Sequence, residues 1–168
     1  MTMMKDIRVS DFKESSRHAG TVIHAEYRKP YKSWERHLLL YKLERVIEGK
    51  VFSRMMENVR VIGVPDDYET DGHKVSIIEV YTTTSPTRES ISAQTITKKI
   101  LQLRTYIWVM TPIIVKLGYI MSTNHWLEIY EQDTKEQLDR ILITQSEDIE
   151  DVIRAKVIRT SANSHMGN

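Results

Sequence analysis

Two β-branched runs that meet at Asp71-Gly72 constrain this chain more than any other feature. The first reads Asn58-Val59-Arg60-Val61-Ile62-Gly63-Val64-Pro65-Asp66 and the second Lys74-Val75-Ser76-Ile77-Ile78-Glu79-Val80-Tyr81. Asp-Gly between such runs is a strong hairpin signal. Centring the turn there puts position 64 opposite 79 and position 66 opposite 77. Asp66 and Glu79 then become diagonal neighbours, their backbones roughly 7–8 Å apart across the strands. Two carboxylates so placed can converge on one hard cation, Mg²⁺ or Mn²⁺. Taken alone, the pair reads more simply as two strand ends in solvent. Period-two alternation sets Val75, Ile77, Glu79 and Tyr81 on one strand face, with Ile78 and Val80 on the other.

A helix follows. From Ser90 to Met110 the apolar residues Ile96, Ile100, Leu103, Ile107 and Met110 recur at steps of three and four, one buried stripe. Lys99, Gln102 and Tyr106 share an edge of that stripe. Packed on the hairpin, the helix turns this polar edge toward the two carboxylates.

These residues carry a family resemblance. Gly63-Val64-Pro65-Asp66 resembles the GxxD motif of RecB-type PD-(D/E)XK nucleases, Glu79-Val80-Tyr81 falls where they have ExK, and Gln102 to Tyr106 is similar to their QxxxY. Upstream, Gly20-Thr21-Val22-Ile23-His24 resembles the GxxxH that opens such domains. The likeness extends to exonucleases associated with CRISPR adaptation and their viral counterparts. Each motif is weak singly, and four in order over most of the chain are more specific. The resemblance implies a PD-(D/E)XK restriction-endonuclease-like α/β fold, a mixed central sheet flanked by helices. It implies metal-dependent hydrolysis of DNA, at single strands or duplex ends. It makes Asp66, Glu79, His24 and the Val80 carbonyl the metal ligands, for Mg²⁺ or Mn²⁺, and Gln102 and Tyr106 site residues. The sequence departs from the family at Tyr81, which stands where the catalytic lysine belongs. A phenol with its ordinary pKa near ~10 supplies no positive charge. Lys99, by its place on the helix edge, is the best substitute; Lys74 and Lys98 are less well aimed. The alternative is a nucleic-acid-binding or assembly protein that keeps the fold and cuts weakly or not at all. A third reading is an unrelated small-molecule α/β protein whose motifs are accidental.

Composition narrows the field. The chain has 168 residues, a formal net charge of +1 and no cysteine. Disulfides and thiolate sites are excluded, and so is the four-cysteine iron–sulfur cluster of the CRISPR-associated relatives. No global basic field announces a polyanion, so DNA contact must come from local patches. The apolar runs are too short to span a bilayer and no signal-peptide core is visible, so a cytoplasmic protein with no membrane partner is expected. A homo-oligomer is left open.

The rest of the chain reads as one nuclease domain over 17–160, preceded by a flexible arm over 1–16 and followed by a disordered tail over 161–168. A short helix over 20–29 carries His24, by itself as readily a packing residue as a ligand. A helix over 32–48 has Trp34, Leu38, Tyr41 and Val46 inward, and Lys32, Arg36, Lys42 and Arg45 on a solvated face open to DNA. Val51 to Met56 is a strand into the hairpin. Residues 82–89 form a loop whose hydroxyls and Arg88 suit phosphate contact. The long helix ends or bends near Pro112. Tyr119 to Ser122 and His125 to Tyr130 are strands turning at Thr123-Asn124, Leu138 to Thr144 an edge strand or helical turn, and Ser146 caps a last helix.

Overall fold

The computed structural model describes residues 5–12, 27–28 and 33–166. The helix expected over 20–29 lies outside these residues except at 27–28, and His24 and Lys32 are outside them too. Along the chain run β1 (Lys5–Arg8), a 3₁₀ turn (Val9–Phe12), α1 (Trp34–Val46), β2 (Phe52–Met56), β3 (Val59–Gly63), β4 (Asp67–Thr70) and β5 (Lys74–Thr83). A second 3₁₀ turn (Arg88–Ser90), α2 (Ala93–Lys116), β6 (Ile120–Met121), β7 (His125–Glu131), β8 (Gln137–Ile143) and α3 (Ile149–Met166) complete the order. The architecture is mixed α/β, with mixed sheets flanked by helices.

The strand expected over 58–66 ends at Gly63, and the chain enters a second sheet only at Asp67. β3 stops at Gly63 and pairs with β2 and, in parallel, with β1 in a three-stranded sheet. The next residues, Val64-Pro65, include a proline with no N–H for a ladder, which ends the strand. The hairpin at Asp71-Gly72 is therefore β4 with β5, inside a five-stranded sheet ordered β4-β5-β7-β8, with β6 also against β5. Asp71 builds the turn by accepting the N–H groups of His73 and Lys74, both at 2.8 Å. β3 instead enters from β2 through Glu57-Asn58, where Glu57 takes a left-handed φ of 55°. The expected arm also holds structure: β1 pairs with β3 and buries Ile7 and Val9.

α2 crosses both sheets and gathers the core. Ser92 caps it, accepting the Thr95 N–H at 3.1 Å. The helix runs through Pro112 to Lys116 rather than ending there. Proline at 112 deprives the Trp108 carbonyl of its helical donor. Arg54 from β2 supplies the missing hydrogen bond at 2.8 Å and stacks over the Trp108 ring.

α1 is rotated from the expected face. Trp34 is 74% exposed and Tyr41 56%, while Leu39 and Leu43 are buried. Apolar and charged residues are interspersed around the whole helix, so periodicity alone could not choose a side. Arg36 chooses it by pairing with buried Asp67 of β4 at 2.7 Å. β6 and β7 do not form a hairpin, because both run parallel to β5. β8 is an antiparallel partner of β7, resolving that segment as a strand. α3 continues to Met166, beyond Ser161 where a tail is expected, because no glycine interrupts it before Gly167.

His125, 1% exposed, joins β5 to β7 through its ring: Nδ1 accepts the Ile77 N–H at 2.9 Å. Burial pushes its pKa from 6.5 down to about 4, against an opposing hydrogen bond to Ser122. A pKa lower in the folded chain than in the unfolded one means that the unfolded state takes the proton first. Stability is then full above about pH 6.5 and declines as pH falls toward 4, by about 3 kcal/mol. Urea unfolding at pH 7 and 4.5 should reveal this slope, and His125→Gln, which keeps an acceptor for Ile77, should flatten it. An equal slope in that variant would assign the effect to other groups.

Candidate active site

β5 presents Val75 and Ile77 to the core under α2, and Ile78 and Val80 to a separate cluster with Tyr27 and Tyr130. Glu79 and Tyr81 stand on the α2 side with the odd-numbered residues. The β4–β5 ladder pairs Asp67 with Ile78. Continued by one residue, it puts Asp66 directly across from Glu79, not diagonal to it as expected from the sequence, and opposed residues share a face. The Asp66 carboxylate accepts the Val80 N–H at 2.8 Å, so the side chain replaces a ladder bond where the strand begins. The N–H and C=O of one strand residue face the same edge. The Val80 carbonyl is thus directed to the Asp66 side.

α2 supplies the opposite wall. Lys99 Nζ lies 3.9 Å from Glu79 Oε1 and 5.2 Å from the centre of the Tyr81 ring. Its side chain is 12% exposed and that of Glu79 6%, so water screens this pair poorly. Gln102 and Tyr106 follow on the same edge, 2% and 8% exposed. Burial raises the Tyr106 pKa well above its ordinary value, and the negative charges of Glu79 and Asp66 add to the shift. The phenol therefore stays protonated. Gly63 makes room for it: a Cβ there would lie 2.7 Å from Tyr106 Cε1 and 3.2 Å from Val9 Cγ2. The Gly63–Asp66 and Gln102–Tyr106 segments thus touch, because one needs a residue without a side chain where the other seats its ring.

The structure brings together Asp66, Glu79, Tyr81, Lys99, Gln102 and Tyr106, and His24 lies outside the described residues. Among those residues, no group of three His, Cys, Asp or Glu side chains could hold a metal ion. Mg²⁺ commonly keeps several waters and takes one or two carboxylates. The Asp66–Glu79 pair with a backbone carbonyl fits that chemistry. The sequence reading missed Tyr68, two residues beyond Asp66 and on the same face; period-two alternation carried the signal. Arg88, expected near phosphate, pairs with Asp139 at 3.3 Å. Arg36 is committed to Asp67, and Lys42 lies over the Tyr119 ring.

No family model and no curated protein matches the chain. A solved structure titled "Crystal structure of SSO0001" is similar at 15% identity and a TM-score of 0.46, covering 100% of this chain and 79% of that one. No helix among the described residues is long and apolar enough to cross a membrane.

Proposed function

We propose that this chain is a metal-dependent deoxyribonuclease of the RecB-type PD-(D/E)XK kind, acting on single strands or duplex ends. The observation that carries the reading is Lys99. Its ammonium stands beside Glu79 and over the ring of Tyr81, the residue that occupies the family's lysine position. A lysine lost from β5 is thus answered by one from α2. Asp66 and Glu79 would hold the ion, with His24 as a further ligand by resemblance. Bound there, Mg²⁺ or Mn²⁺ would lower the pKa of a water and offset charge on the scissile phosphate. Lys99 brings its own charge to that phosphate, and the Tyr81 face steadies the ammonium by cation–π attraction.

A second reading, a nucleic-acid-binding protein that cuts weakly or not at all, has one observation in its favour. Lys99 is engaged by Glu79, a carboxylate the ion would need. Labelled single- and double-stranded DNA, incubated with Mn²⁺ or with chelator, tests the activity. Cleavage is expected with the metal and none with chelator, and Lys99→Ala should slow it by about 10²-fold. If the site is merely degraded, Lys99→Ala changes little and Tyr81→Lys raises activity. Vigorous cutting that is indifferent to both substitutions would refute the assignment of Lys99.

A further inference from the structure

Two polar atoms on the elements that frame the carboxylates, Tyr68 Oη on β4 and Gln102 Oε1 on α2, are buried with no hydrogen-bond partner among the described residues. Tyr68 is 4% exposed and Gln102 2%. Leaving a buried polar group unsatisfied costs about 1–3 kcal/mol, so a fold seldom keeps such groups without a use. Their neighbours identify the use. Tyr68 lies on β4 two residues after Asp66, and Gln102 lies one helical turn before Tyr106. Tyr106 and Tyr68 both feel the charge of Asp66, and Tyr106 also feels Tyr68 and Glu79.

We propose that Tyr68 is a positioning residue of the cation site, its hydroxyl held with Gln102 Oε1 to hydrogen-bond waters in the coordination shell of a hydrated Mg²⁺ or Mn²⁺. This rests on the two-carboxylate metal site proposed above. An aqua ion presents strongly polarised O–H donors, and both Gln102 Oε1 and the Tyr68 oxygen can accept from them. Two carboxylates alone leave most of the shell as water, so groups that grip that water fix the ion's position. Phenylalanine at position 68 removes the hydroxyl without breaking any hydrogen bond among the described residues, so it separates ion binding from stability.

The decisive comparison is Tyr68→Phe against Asp66→Asn and wild type. Mn²⁺ binding is followed by the loss of the free-ion electron paramagnetic resonance signal, and thermal unfolding is followed in chelator. Tyr68→Phe is expected to bind Mn²⁺ about 10-fold more weakly, the lower end for loss of an outer-shell partner. In chelator it should unfold at the wild-type temperature or above. Asp66→Asn should abolish binding. If Tyr68→Phe binds as tightly as wild type while Asp66→Asn does not bind, the role of Tyr68 is refuted and the carboxylate site stands. Weaker binding accompanied by an equivalent loss of stability in chelator would make Tyr68 structural and also refute it. Wild type that takes up no Mn²⁺ would overturn both readings.

Discussion

Asp66→Asn and Glu79→Gln are each expected to abolish Mn²⁺-dependent DNA cleavage while the protein stays folded. Each substitution removes one of two anionic oxygen donors, and a single carboxylate holds Mg²⁺ or Mn²⁺ poorly. The amides are better probes than alanine. Asp66 accepts the Val80 N–H at the edge of β5, and asparagine can still accept it. Alanine there would orphan a backbone donor and cost about 1–3 kcal/mol, confusing instability with lost chemistry. Glu79 is 4% exposed, so glutamine also preserves its packing. Cleavage rates and unfolding temperatures measured on the same preparations separate the two effects. Undiminished cutting by either amide would move the activity to other residues or to a contaminant.

Arg28→Ala should be among the most destabilising single changes available, about 3–5 kcal/mol by urea unfolding. Arg28 is 2% exposed and divides its guanidinium among three carboxylates: Nε to Asp67 at 2.5 Å, Nη2 to Glu69 at 3.0 Å, and Nη1 to Glu128. Burial opposes its charge, but the hydrogen bonds and charges of Glu128 and Asp67 outweigh that and raise its pKa. Arg140 braces Glu69 and Glu128, and Arg36 braces Asp67, so three cations meet three anions on the sheet face away from α2. Removing Arg28 leaves Glu128, 0% exposed, with a buried charge only part-compensated. Arg28→Lys should recover only part of the loss, because a point charge cannot serve three separated acceptors. A cost for Arg28→Ala below 1 kcal/mol would show that Arg36 and Arg140 suffice.

This buried network was invisible in the sequence, and the reason is physical. Arg28 and Glu128 are 100 residues apart, and no local period links Asp67, Glu69 and Arg140 to them. What alternation and helical spacing encode is local, and there the sequence was readable. The faces of β5, the Asp71-Gly72 turn and the Ile96–Met110 stripe are where their patterns put them, and the edge that carries Lys99, Gln102 and Tyr106 does meet Glu79. The division of the expected strand was also written, in Pro65, but a continuous β-branched run masked it. The face of α1 was not written in its own apolar residues, because a partner on β4 selects it. The passage of α2 through Pro112 depends on Arg54, a residue from another strand, which no inspection of the helix alone would supply.

Val64-Pro65-Asp66 is the short step by which the chain leaves one sheet and enters the other, and it carries half of the proposed ion-binding pair. Glu79 is fixed deep in the five-stranded sheet, whereas Asp66 is strung between that sheet and Gly63, which is pinned against Val9 and Tyr106. Asp66 is therefore held twice, by the Val80 N–H of β5 through its side chain and by the seat of Gly63 three residues back along the chain. In the proposed site, the placing of one acid would then depend on packing around Gly63, at Val9 and Tyr106, which lies outside the five-stranded sheet.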